Sequence, residues 1–132
     1  MQITLIAYGT RGDVQPALAL GRALRARGHG VRLLASAHFK DWIEHFGLTA
    51  VPAKVDIQAL MASDAGSQWA EQGTQPLKQL RVMKGLLDAH GLDLMQDAWQ
   101  GGQGSDLIVS SFTSQNYAPA MAQALGARHV LM

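Results

Sequence analysis

Short apolar runs alternate with helical patterns along this chain, and that alternation constrains the fold more than any other feature. Ile3 to Ala7 is an apolar run closed by a glycine-containing turn, as expected of a parallel strand covered on both faces. Pro16 to Arg27 follows with Ala17, Leu20 and Leu24 at helical spacing. Pro16 suits a first helical turn and Gly28 the position just past a helix end. Arg22, Arg25 and Arg27 fall in the second half of that helix, where cations complement its dipole and face solvent. Val31 to Ala35 reads as the next strand, Phe39 to Phe46 as a helix stopped by Gly47, and Thr49 to Pro52 as a third strand. Two β–α–β units in succession predict a parallel sheet with right-handed crossovers.

The middle of the chain is less regular. Asp56 to Ala62 predicts a short helix, and from Pro76 the apolar positions Leu80, Met83, Leu87, Leu94 and Ala98 recur at helical spacing. Gly91 is expected to divide that stretch into two helices, and Gly101-Gly102-Gln103-Gly104 to form a flexible connector. Asp106 to Val109 predicts a fourth strand, Gln115 to Leu125 a helix ended by Gly126, and His129 to Met132 the start of a fifth strand. The expected fold is α/β: a Rossmann-like three-layer α/β/α sandwich on a mainly parallel sheet. The chain stops within the fifth strand, and is expected to be part of something longer.

Composition sets the outer limits. With 132 residues, 48% hydrophobic and 16% charged, the chain can bury one core and no more. A formal net charge of +1 provides no basic field to recruit nucleic acid or an anionic membrane. The absence of cysteine excludes a disulfide framework, an iron–sulfur cluster and a thiol nucleophile, and fits a reducing compartment. No apolar run reaches the ~20 residues that span a bilayer, and the N-terminus lacks a basic leader region. The expected location is the cytoplasm, with peripheral membrane contact open.

In an open parallel sheet ligands bind beyond the carboxyl ends of the strands, where the strand order reverses. With strand order 3-2-1-4-5, the loops Tyr8 to Gln15 and Ser110 to Ser114 face each other there. The first reads Gly9-Thr10-Arg11-Gly12-Asp13-Val14-Gln15-Pro16. It is neither G-x-G-x-x-G nor a P-loop. Asp13, shortly before Pro16, is also a good helix N-cap candidate, and hydrogen bonds to a carboxylate weaken it as a base. Gly9 and Gly12 are expected to allow close backbone approach and positive φ, and Arg11 to pair with a carboxylate or pack on the loop. The five histidines are dispersed, and His38 with His45 lacks a third ligand, so no metal site is expected. Met61, Trp69, Met83, Met95 and Trp99 would suit either a core or an apolar pocket.

The stretch from Ile3 to Leu24, continued by Gly28-His29-Gly30-Val31-Arg32-Leu33, resembles the start of family 1 and family 28 glycosyltransferases of the two-lobed GT-B type. Within them it is most similar to the natural-product and sterol glucosyltransferase branch. The resemblance spans the chain but is specific only over its first thirty-five or so residues. It implies that residues 1–132 form the N-terminal, acceptor-binding lobe, and that a nucleotide-sugar binds a C-terminal lobe absent from this chain. It makes Asp13 the general base of an inverting transfer to a small hydroxylated acceptor, with no cofactor or metal. Gly9, Thr10 and Arg11 then form the donor-facing part of the loop. Gly12, Ser111, Phe112, Thr113, Met61 and Trp69 are the candidate acceptor contacts. Related branches place a histidine in the first loop, oriented by a carboxylate after the fourth strand. Here Asp13 and Ser110-Ser111-Phe112 occupy those places, and a carboxylate base needs no partner to fix its tautomer. Two alternatives stand beside this reading: a non-catalytic lobe of a split glycosyltransferase that works with a separate donor-binding chain, and a flavodoxin-like nucleotide-binding domain matching by chance.

Overall fold

The computed structural model describes residues 1–56, 59–60 and 76–132, with backbone alone for 76–83, 86 and 87. Five parallel strands form one sheet in the order β3-β2-β1-β4-β5, as the alternation predicts. They are β1 (Gln2–Ile6), β2 (Gly30–Ser36), β3 (Thr49–Ala53), β4 (Leu107–Ser110) and β5 (Arg128–Leu131). Helices α1 (Arg11–Ala26) and α2 (Lys40–His45) cover one face, and α3 (Pro76–Gly102) and α4 (Ala118–Ala124) the other.

Alternation along the strands builds the two cores. Ile3, Leu5 and Ala7 of the first strand region point toward Val14, Ala17, Leu18, Phe39 and Ile43. Ile6 and Tyr8 point the other way, toward Ala98, Met121 and Ala122. Both faces are apolar because both are covered.

Several helix boundaries differ from expectation, each for a local reason. α1 begins five residues before Pro16, because Thr10 is its N-cap and Asp13 its third residue, in a capping box. Pro16 therefore lies inside the helix, where its ring removes the donor that would reach the Gly12 carbonyl. Gly28 ends the helix with φ +84°, as expected. The helix after β2 is preceded by a 3₁₀ turn over Ala37–Phe39. α4 starts at Ala118 rather than Gln115, since Pro119 needs no donor in a first turn and the preceding Phe112–Ser114 forms a 3₁₀ turn. Of the expected helix from Asp56 to Ala62, Ala59 and Leu60 are helical and Asp56 Oδ1 accepts from the Ala59 nitrogen at 3.1 Å; the remainder lies outside the described residues.

Gly91 does not divide the long helix, and Gly101 and Gly102 are its last residues rather than a connector. These two are buried where α3 meets the sheet. A Cβ on Gly102 would lie 3.0 Å from Leu125 and 3.3 Å from Ile108, so the missing side chains let the helix end approach closely. Thr4, buried in β1, fastens it: its hydroxyl donates to the Gly101 carbonyl at 3.0 Å and meets Ser105 Oγ at 2.8 Å.

Candidate active site

The crevice forms where β1 ends between two neighbours. The Ala7 nitrogen donates to the Leu34 carbonyl of β2 at 3.0 Å, and the Ser111 nitrogen donates to the Ile6 carbonyl at 3.1 Å. Beyond that point the chain after β1 turns into α1, and the chain after β4 turns into the 3₁₀ segment. The Thr113 hydroxyl donates to the Tyr8 carbonyl at 3.0 Å and meets Ser111 Oγ at the same distance. The two loops singled out from the strand order are thus joined directly.

Asp13 stands at this mouth, exposed. Its Oδ2 accepts from the Thr10 nitrogen at 2.8 Å and the Thr10 hydroxyl at 3.1 Å, while Oδ1 accepts nothing from the described residues. The carboxylate is therefore not the N-cap, as the sequence suggested, but the residue that reaches back to the cap. Helix geometry brings it there, three residues past Thr10 on the first turn. Gly9 permits the arrangement: its φ of +151° is unusual for an L side chain, and a Cβ there would collide with the Asp13 carboxylate. Gly12 departs from expectation. It has no positive φ, and a Cβ on it would make an ordinary 3.6 Å contact with Thr10. Arg11 makes no ion pair among the described residues; its guanidinium lies over the Trp42 ring, 5.2 Å from the centroid. Phe112 projects from the opposite loop at 76% exposure, whereas Ser111 is buried. Met61 and Trp69 lie outside the described residues.

Sequence reasoning overlooked what supports this rim. Tyr8, buried to 1% exposure, passes under the loop and donates to the Leu94 carbonyl of α3 at 2.9 Å. Asp97, also buried, accepts from the Lys54 nitrogen at 2.6 Å and pins the chain after β3. Burial pushes the Tyr8 phenol above its ordinary range, and the nearby Tyr117 and Asp97 add to it. Tyr117 is raised in the same way, first by burial and then by Asp97. A large ring placed right after a strand was the available signal for Tyr8.

Met95 and Trp99 do line an apolar groove, of about 380 Å³, with Tyr117 and Met121. It lies between α3 and α4, across the sheet from the helix that carries Asp13. Among the described residues, no three His, Asp or Glu side chains cluster as metal ligands.

Residues 3–121 match the glycosyltransferase family 28 N-terminal domain. The chain belongs to glycosyltransferase family 28. Over 130 residues this family-28 domain is 37% identical to a sterol 3-beta-glucosyltransferase of Neurospora crassa, covering 96% of the chain and 8% of that protein. It is 34% identical over 126 residues to an uncharacterized glycosyltransferase of Mycobacterium leprae, covering 96% of the chain and 30% of that protein. The structure of the Streptomyces sp. SF2575 glycosyltransferase SsfS6, complexed with thymidine diphosphate, superposes with a TM-score of 0.72 at 23% identity. That match covers all of this chain and 38% of the other. The family-28 domain therefore spans a minor part of each relative, and its fold is one they share. Family membership sets aside the chance match to a flavodoxin-like domain.

Proposed function

We propose that this family-28 domain is the acceptor-binding lobe of an inverting, metal-independent glycosyltransferase, and that Asp13 is its general base. The supporting observation is the asymmetry of the Asp13 carboxylate: one oxygen is fixed by Thr10 and the other is open at the mouth of the crevice. The acceptor is a small apolar molecule bearing a hydroxyl, of the sterol, natural-product or glycolipid kind. The donor is a nucleotide-diphosphate sugar held by a second lobe.

In the reaction, the acceptor oxygen attacks the anomeric carbon from the face opposite the nucleotide. The bond to the diphosphate oxygen breaks and its electron pair leaves with the diphosphate. As the new bond forms, the hydroxyl proton passes to Asp13 Oδ1. Fixing Oδ2 orients the carboxylate without occupying the oxygen that takes the proton. Thr113 and Ser111 hold the opposite rim, and the exposed Phe112 ring offers an apolar surface to the acceptor. Charge on the leaving diphosphate is balanced by backbone and side-chain donors of the second lobe.

The test uses the full-length protein with a panel of nucleotide-sugars and polycyclic alcohols, in the presence of a chelator. Transfer with inverted anomeric configuration supports the reading. Retained configuration, or dependence on added metal, overturns it. Activity that appears only when a separate donor-binding chain is added identifies a split enzyme instead.

A further inference from the structure

We propose that Trp42 is a positioning residue for the proton transfer: its ring holds the Arg11 guanidinium and so keeps that cation off the open oxygen of Asp13. The inference rests on the reading of Asp13 as general base. Arg11 is the first residue of α1 and Asp13 the third, with Cα atoms about 5 Å apart by helix geometry. Residues two apart project from nearly opposite sides of a helix. At a first residue, however, no preceding turn stops a long side chain from swinging round the helix end to Thr10, where the Asp13 carboxylate lies. Arg11 is exposed and stands at the positive end of the helix dipole, which adds to its attraction for an anion. Yet no ion pair joins it to a carboxylate among the described residues. Its guanidinium instead lies 5.2 Å from the centroid of the Trp42 ring, in the groove between α1 and α2 that Gln15 and Leu18 also line.

The ring is fixed in place. Trp42 is half-buried against the core, with ring centroids of Phe39 at 5.8 Å and of Phe46 at 6.4 Å, the latter edge-on. Arg22 takes the Phe46 ring, at 4.9 Å, so the Trp42 ring is left to Arg11. A cation over a half-buried ring gains at least as much as an exposed ion pair does, so the ring can hold Arg11 against Asp13. The acids of α2 do not draw it away: Glu44 is paired with Lys40 at 2.8 Å, and Asp41 forms no ion pair with Arg11. The chemical consequence falls on the base. A guanidinium on Oδ1 would occupy the lone pairs that accept the hydroxyl proton and would favour the charged carboxylate, so the proton would pass to it less readily. Stacking Arg11 on Trp42 keeps the motif's arginine beside its aspartate without closing the aspartate to the acceptor.

The experiment is steady-state kinetics of the full-length protein, with the nucleotide-sugar and polycyclic alcohol that the panel above selects. Trp42→Leu is expected to lower kcat by about tenfold, a part of what a positioned base contributes, with the acceptor KM little changed. Trp42→Phe, which keeps a ring face, is expected to retain most of the wild-type kcat. With Arg11→Gln already present, Trp42→Leu is expected to cost nothing further, because the cation it releases is gone. A merely structural role for Trp42 gives the same cost in both backgrounds and overturns the proposal, as does a Trp42→Leu variant with wild-type kcat. Should Trp42→Leu fail to fold by circular dichroism, the exposed Arg11 decides alone. Arg11→Lys keeps a cation that stacks less well, and is expected to lower kcat more than Arg11→Gln does. The reverse order makes Arg11 a contact to the donor and overturns the proposal. Asp13→Asn is measured in parallel. Normal turnover in that variant brings down the general-base reading; its inactivity, with no coupling between Arg11 and Trp42, leaves the base standing and removes only the role of Trp42.

Discussion

Asp13 is held on one side by Thr10: Oδ2 accepts both the backbone nitrogen and the hydroxyl, at 2.8 and 3.1 Å, and the other oxygen stays open. Asparagine can keep the bonds to Thr10 through its carbonyl but cannot take a proton. Asp13→Asn in the full-length protein is therefore expected to lower kcat by about 10² to 10⁴. Nucleotide binding and the unfolding midpoint should stay near wild type. Steady-state kinetics with calorimetric titration of the nucleotide check this, and near-normal turnover would refute the assignment.

Gly9→Ala tests the backbone that makes room for that carboxylate. The substitution forces an L side chain to φ +151° and drives its Cβ into Asp13. A loss of about 1–3 kcal/mol is expected from backbone strain alone. Urea unfolding measures it, and an unchanged midpoint would mean that the loop relaxes elsewhere.

The two tyrosines of the chain, Tyr8 and Tyr117, predict an alkaline limit. Both are raised in the folded state, chiefly by burial, so above about pH 10 the unfolded chain releases protons that the folded one retains. Stability contributed by their neutral forms is complete below that value. It then falls as pH rises, by at most about 1.4 kcal/mol per pH unit for each tyrosine. Phenolate absorbance should appear together with loss of far-ultraviolet dichroism; phenolate forming in the folded protein would contradict the burial.

The glycines of α3 divide into two kinds. Nothing lies within 4 Å of a Cβ at Gly91, so Gly91→Ala should stabilise by about 0.5–1 kcal/mol through helix propensity. At Gly102 the added carbon meets Leu125 and Ile108 at 3.0 and 3.3 Å, and Gly102→Ala should destabilise by about 1–3 kcal/mol through overpacking. Thermal unfolding of the two variants should shift in opposite directions.

The sheet order was legible because each strand carries its own apolar run and each crossover its own helical pattern. The helix boundaries were not, for reasons visible at single residues. Pro16 is a strong start signal, yet Thr10 and Asp13 together form a stronger one, and a proline in the sixth position can be tolerated. Gly101 and Gly102 carry the composition of a linker but serve close packing, which for Gly101 depends on Leu34 and Val51 and for Gly102 on Met121 and Leu125, residues remote in sequence. At the site, the Asp13 loop could be read from its motif and its junction with the first strand. The Thr113–Tyr8 bond, which couples residues 105 positions apart, and the stacking of Arg11 on Trp42 could not, because each depends on tertiary placement.

The bond from Thr113 to the Tyr8 carbonyl has a thermodynamic corollary. Cross-bracing between the two rims is completed during folding, so an arriving guest need not freeze these loops into register. If the crevice takes an acceptor as proposed, little of that molecule's intrinsic affinity is spent on ordering them, and discrimination falls to shape and to the alignment of one hydroxyl.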